Sequence, residues 1–138
     1  MLVDSATMIN STEAVGINFY PGGSVHGLPV TTNVTFQSIV DRNSDYTVAA
    51  ESYYGKGAAY CKRSSSTDRM SGVVIKNFSG MTSAKHAPSV AKINCPQAGT
   101  CGLTMSGMNV KAHDNSATFP CSNHLKNLGV ACSGSADG

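Results

Sequence analysis

An all-β chain wound into stacked coils is the architecture implied by these 138 residues. The first sign is compositional: 12 Val, 5 Ile and 11 Thr stand against 5 Leu, and 18 Ser and 10 Asn add turn formers. That balance favours strands and turns and excludes an all-helical protein. The second sign is a series of short strand-like runs separated by Gly, Ser, Asn and Pro clusters. The third is recurrence. The phrases Asn33-Val-Thr-Phe-Gln-Ser-Ile39, Gly72-Val-Val-Ile-Lys-Asn-Phe-Ser-Gly80 and Gly102-Leu-Thr-Met-Ser-Gly-Met-Asn-Val110 share an apolar-x-apolar-x-x-apolar core. They begin about 30 to 40 residues apart, as the units of a solenoid do. In a β-helix each inward Val, Ile, Phe or Met meets an equivalent side chain of the next coil, so apolar ladders replace a large core. An antiparallel β-sandwich also has short strands at spacings of about 8–12 residues, and pattern alone leaves it open.

The elements follow in chain order within a single domain, 1–138. Residues 1–32 are an N-terminal segment left open between a separate piece and a cap over the end of the coils; the phrase Gly16-Ile-Asn-Phe-Tyr-Pro-Gly-Gly23 has strand and turn character. The coils are expected over 33–138. Residues 34–40 alternate apolar and polar side chains, and Asp41-Arg-Asn-Ser-Asp45 reads as the turn that ends them. Further strands are expected at 47–50, 73–78, 89–94, 103–110 and 117–119. Residues 61–69 are polar and aperiodic, an exposed loop whose Lys62, Arg63 and Arg69 either contact an anionic ligand or are simply solvated.

Charge and cysteine usage bound the function. Ten basic and eight acidic residues leave a net charge of +2, too little for a phosphate-backbone footprint, so nucleic acid is not an expected partner. No apolar run approaches the roughly 20 residues that cross a bilayer, and residues 1–20 lack the pattern of a secretory leader. Five cysteines at 61, 95, 101, 121 and 132 suit loop staples of an extracellular protein, the alternative being buried free thiols. Three sequons, at Asn10, Asn33 and Asn77, agree with secretion. The expectation is a secreted chain from which an upstream leader has been removed.

Several phrases together resemble a known family. They are Ser71-Gly-Val-Val-Ile-Lys-Asn-Phe-Ser-Gly-Met-Thr-Ser83, Asn94-Cys95-Pro-Gln-Ala-Gly-Thr-Cys101, Met105-Ser-Gly-Met-Asn-Val110 and Phe119-Pro-Cys121 through Cys132. The pattern is similar to the C-terminal part of fungal exopolygalacturonases, pectin-degrading glycoside hydrolases that fold as a right-handed parallel β-helix. The resemblance covers about residues 33–132 and implies truncated C-terminal coils of that fold. It also implies the bridges Cys95–Cys101 and Cys121–Cys132, each removing about 2–3 kcal/mol of unfolded-chain entropy in the loop-closure view. The family partner of Cys61 falls at Tyr53, which leaves Cys61 as a free thiol, either buried or able to cross-link two chains.

Inverting hydrolysis of a glycosidic bond needs two carboxyl groups about 6.5–9.5 Å apart, one to protonate the leaving oxygen and one to activate water. The family supplies them from an Asn-Thr-Asp phrase and an Asp-Asp pair, followed by a Gly-His-Gly phrase and an Arg-Ile-Lys phrase that holds the substrate carboxylate. None of the four occurs here, and the nearest candidate for the basic phrase, Ala6-Thr-Met-Ile-Asn10, is uncharged. Asp41 and Asp45 share one turn, and Asp4 and Glu13 lie in the N-terminal segment, so no catalytic pair is assigned. The histidines His26, His86, His113 and His124 lack metal-ligand spacing; Cys121 with His124 offers little once Cys121 is bridged, and neither a metal nor another cofactor is expected. Gly23-Ser-Val-His-Gly27 lacks the nucleophile-elbow spacing.

Tyr54 resembles a tyrosine bordering the substrate cleft of related polygalacturonases, where a ring face packs on sugar. Lys56 lies close by and would favour polygalacturonate, while Tyr53, Tyr54 and Tyr60 read equally as a surface cover. Two functions follow: a polygalacturonase-family fragment without its catalytic carboxylates, binding pectin without turnover, or a secreted interaction module that self-associates through an open coil end. A secreted β-sandwich of incidental similarity is the third.

Overall fold

A computed structural model describes residues 1–22, 29–52, 54–96 and 101–136. Among the described residues, nine strands arrange as two sheets in which every pairing is parallel: β1 (Leu2–Asp4), β2 (Thr7–Ile9), β3 (Glu13–Asn18), β4 (Val30–Arg42), β5 (Tyr46–Glu51), β6 (Arg69–Met81), β7 (Ala91–Asn94), β8 (Cys101–Lys111) and β9 (Cys121–Ser122). Sheet A runs β1-β4-β6-β8 with β2 also on β4, and sheet B runs β3-β5-β7-β9. The chain visits A and then B in each of four turns, so the molecule is a stack of four coils, a parallel β-helix. Antiparallel pairing, which a sandwich requires, does not occur between these strands.

The shared apolar-x-apolar-x-x-apolar phrase has a structural cause. Ser5, Ser38, Asn77 and Gly107 all have left-handed backbones, with φ of 59, 57, 57 and 59°, and flanking register pairs place the last three in one column. A left-handed residue interrupts the two-residue alternation of a strand, so two residues separate successive inward side chains there instead of one. Phe36, Ile75 and Met105 are therefore inward on one side of the bend, and Ile39, Phe78 and Met108 on the other. Asn and Gly populate this region with little penalty. The next corner is built the same way: Asn10 and Asn43 are left-handed, and Asn43 Nδ2 donates to Asn10 Oδ1 at 2.8 Å.

Several elements differ from the sequence expectation. Residues 2–18 do not stand apart from the coils or fold over their end: β1, β2 and β3 pair with β4 and β5 as the first turn of the stack. Strand β4 continues through Asp41 and Arg42, which pair with Gly80 and Met81, because ladder bonds outweigh local turn preference there. The polar stretch from Cys61 is not all loop. Ala58–Arg63 form a short helix, α1, with Cys61 turned inward and buried. Around 117–119 there is one bridge, Ser89 with Thr118, and no strand.

The two ends of the stack are unlike. The chain after β9 closes one end: Leu128 is buried and its carbonyl accepts from Met105 N at 2.6 Å, and Gly134 O accepts from Cys121 N at 2.9 Å. Disulfides Cys95–Cys101 and Cys121–Cys132 tie this region. At the other end β1, β2 and β3 pair on one side, and Leu2 and Ile9 are 60% and 58% exposed.

Candidate functional site

The loops leaving sheet B gather the exposed aromatic side chains. After β3, Phe19 N donates to Glu51 O at 2.9 Å, and Tyr20 N donates to Asp68 Oδ2 at 3.2 Å. These bonds bring Tyr20 to the exit of the next coil, where its ring meets Tyr54 edge to face, with centroids 5.4 Å apart and planes at 87°. Tyr20 and Tyr54 remain 39% and 43% exposed. Lys56 Nζ lies 5.5 Å from the ring centroid of Tyr60, also exposed. Lys62 and Arg63 close the last turn of α1, and Arg69 opens β6; all three are exposed. With the planes nearly perpendicular, one ring of the pair can offer its face to a sugar while the other braces its edge, and a cation on the same loop can hold an acidic group. Tyr20 was not legible as a site residue. Its signal was the repeat itself, since register places Asn18 beside Glu51 and so Tyr20 beside the Tyr53–Tyr54 phrase. Tyr53 lies outside the described residues.

A second polar group occupies the outer face of sheet B. Val48, Ala50, Ala91 and Ile93 point into the core, so strand alternation turns Ala49, Glu51, Lys92 and Asn94 outward. Lys92 Nζ binds Glu51 Oε2 at 2.7 Å, both side chains being mostly covered. On the neighbouring strand Glu13 folds back over Gly16, so near that a Cβ built on Gly16 would collide with Glu13 Oε2. Burial, and then the charge of Glu51, push the Glu13 carboxyl up. Glu13 and Glu51 are the only glutamates in the sequence.

The other candidates are committed elsewhere. Asp41 is buried and accepts from Ser44 N at 3.0 Å, while Asp45 binds Lys85 Nζ at 2.6 Å and Ser83 Oγ at 3.0 Å, so the two do not form a pair. Asp4 is bonded within its own corner, where the Gln37 side chain and Ser5 hold its carboxyl below the ordinary value. His86 stacks on Tyr46 with centroids 4.4 Å apart. His124 Nδ1 lies 2.6 Å from Leu125 O, and His113 is exposed. His26, with Gly23-Ser-Val-His-Gly27, lies outside the described residues. Cys121, His124 and Cys132 approach within 4.8 Å of one another, but both sulfurs are spent in a disulfide and offer no thiolate to a metal. Cys61 is free and buried beside a cavity of about 190 Å³ lined by Ser52, Lys62, Ser65, Ser66, Pro96 and Asn123. Burial pushes its thiol up. Asn10, Asn33 and Asn77 are exposed at left-handed corners.

Comparison with known proteins decides the family. The profile named Glycosyl hydrolases family 28 matches residues 1–132. The chain belongs to glycosyl hydrolases family 28. Among curated proteins this family 28 chain is 44% identical over 138 residues to a probable endo-xylogalacturonan hydrolase A of Aspergillus fumigatus, covering 100% of the chain and 34% of the relative. It is 42% identical over 136 residues to endo-xylogalacturonan hydrolase A of Aspergillus tubingensis, covering 99% and 34%. The crystal structure of the Aspergillus tubingensis endo-xylogalacturonan hydrolase superimposes with a TM-score of 0.94 at 42% identity, covering 99% of this chain and 37% of that one. The chain thus spans about a third of the length of the relatives it matches. The resemblance read from the motifs holds at the level of the family and the fold, while these relatives are named endo-xylogalacturonan hydrolases and not exopolygalacturonases.

Proposed function

We propose that these coils bind a xylogalacturonan-type pectic polymer without cleaving it, as a non-catalytic part of an extracellular family 28 hydrolase. The observation that carries the reading is the exposed Tyr20–Tyr54 pair at adjacent coil exits with Lys56 on the same loop. One exposed tyrosine ring takes the apolar face of a sugar ring, and the ammonium takes a uronate carboxylate. The relatives' names supply the polymer class. Two disulfides favour an oxidising compartment, and the exposed sequons at Asn10, Asn33 and Asn77 are proposed sites for N-linked sugar.

The engagement of the described carboxylates supports a reading of binding without turnover. Asp41, Asp45, Asp68 and Asp114 are each held by neighbouring donors. Glu13 and Glu51 share a face, but Glu51 is held by Lys92 and Ala49 beside it is covered. The test incubates the 138-residue chain with xylogalacturonan and polygalacturonate, measuring reducing ends and binding by affinity electrophoresis. No reducing ends are expected, and Tyr54→Ala should weaken binding by roughly 3–10-fold, the scale of one aromatic contact. Turnover abolished by changing one carboxylate, or unaltered binding in Tyr54→Ala, would defeat the reading.

A second reading, self-association, rests on a different observation: the exposed Leu2 and Ile9 on strands that pair on one side. Edge strands with apolar side chains are templates for another strand.

A further inference from the structure

We infer that the polar cavity beside α1 is a second carboxylate subsite, in which Ser52, Ser66 and Lys62 hold the acidic group of a uronate sugar. The inference deepens the binding reading above and rests on it.

The cavity, of about 190 Å³, lies where the chain leaves sheet B. Register sets Glu51, Asn94 and Ser122 side by side, so Ser52, Cys95 and Asn123 follow them at the exits of three successive coils. Helix α1 and the serines after it supply the other wall. The base is buried and the rim is open: Ser52 and Ser66 are each 4% exposed and Cys61 is buried, whereas Lys62, Ser65 and Asn123 are exposed. The volume is several times the roughly 30 Å³ that one water occupies in the liquid, room for a carboxylate and the first atoms of its ring. The aromatic pair shares this exit. Ser52 precedes Tyr54 by two residues, and Gly22 N, two residues after Tyr20, donates to Ser64 O at 2.7 Å.

The lining selects an anion. Among the described residues around the cavity, Lys62 alone is charged, and burial keeps the Cys61 thiol neutral. Asp68, close by in sequence, is turned to Tyr20 N. An independent observation points to a ligand. Ser52 is buried, yet its hydroxyl has no hydrogen-bond partner among the described residues. Ser66 Oγ accepts from Asp68 N at 3.1 Å, which leaves its own O–H to donate. Buried hydroxyls in folded proteins are normally satisfied. Two that are free to donate, beside an ammonium, match the two oxygens of a carboxylate. Asn123 Nδ2 donates to Cys95 O at 3.0 Å, which leaves Oδ1 to accept from a ring hydroxyl. A tyrosine face for one sugar and an anion cavity for the acid of another thus meet at one coil exit.

The probes are trigalacturonate and the neutral galactotriose, each titrated calorimetrically into the 138-residue chain and into Ser52→Ala, Lys62→Gln and Lys111→Gln. Trigalacturonate binding is expected to weaken about 5–10-fold in Ser52→Ala and about 3–10-fold in Lys62→Gln, the scale of a hydrogen bond to a charged group. Lys111→Gln removes the same charge from the exposed end of β8 and is expected to stay within about twofold. Galactotriose is expected to bind the parent more weakly than trigalacturonate. The Ser52 hydroxyl has no internal partner to lose, so Ser52→Ala should keep the melting temperature of the parent; Lys62 is exposed, and its variant tests the site even where Ser52→Ala does not fold. Unchanged trigalacturonate binding in either folded variant overturns the inference, as does an equal loss in Lys111→Gln or galactotriose binding as tightly as trigalacturonate. Tyr54→Ala separates the two readings. If it weakens binding while Ser52→Ala and Lys62→Gln have no effect, only the cavity fails; if those two weaken binding and Tyr54→Ala does not, the aromatic contact fails and the cavity stands. Absence of binding by both probes overturns both.

Discussion

Asp41 shows how one residue makes the stability of the stack depend on pH. It lies between Met8 and Gly80 in the ladder and is almost fully buried; Oδ1 accepts from Ser44 N, and Oδ2 has no partner. Burial pushes its carboxyl up, and the Ser44 contacts offset only part of that. The unfolded chain therefore loses this proton at lower pH than the folded chain does. Between the ordinary carboxylate value and the raised folded value the folded state holds more protons, so stability falls as pH rises, and the penalty is complete above the folded value. Asp41→Asn keeps an acceptor for Ser44 N and removes the charge. A higher melting temperature than the parent at pH 7 is expected, with the difference vanishing near about pH 3, where both are neutral. A difference that grows toward low pH would refute the assignment. Asp45 has the opposite sign: Lys85 and Ser83 hold its carboxyl down, so its stabilisation is present above the ordinary value and is lost as pH falls.

At the scale of the element, the left-handed column explains why strands as long as β4 and β6 are bent. Asn77 stands between Ser38 and Gly107 in that column, and its Oδ1 lies 2.7 Å from where a Cβ on Gly107 would be. Asn77→Ala is expected to lose about 1–2 kcal/mol, the penalty of a left-handed residue without Asn's local hydrogen bonding, whereas Asn77→Gly stays near the parent. Urea denaturation of unglycosylated protein checks this, and equal losses in both variants would count against a backbone origin. The strand was legible in the sequence but its bend was not: residues 34–40 read as continuous alternation, which the left-handed Ser38 interrupts. The turn read at Asp41-Arg-Asn-Ser-Asp45 was legible only in part. Composition reports local preference, and ladder bonds to Gly80 and Met81 carry the strand two residues further.

Among the described residues the two ends of the stack differ. Residues after β9 cover one end with backbone bonds and a disulfide, while β1, β2 and β3 present a paired side and an unpaired side. Two copies meeting through this edge about a two-fold axis would join identical strands antiparallel. Light scattering of the 138-residue chain is expected to show a mass that rises with concentration, and Leu2→Lys with Ile9→Lys should return the monomer by placing charge on the edge. A mass independent of concentration in the parent would rule out this contact.

The sequence by itself determined the strand-rich class and the solenoid recurrence, since both are written in composition or in repeats of one phrase. The resemblance added the family and the cysteine pairs. Only the tertiary structure decided which side chains of different coils meet: Tyr20 with Tyr54, Glu13 over Gly16 beside Glu51 and Lys92, Asp45 with Lys85. Coil length and ladder register set those neighbours, and partners as far apart as 40 residues in sequence leave no local pattern to read.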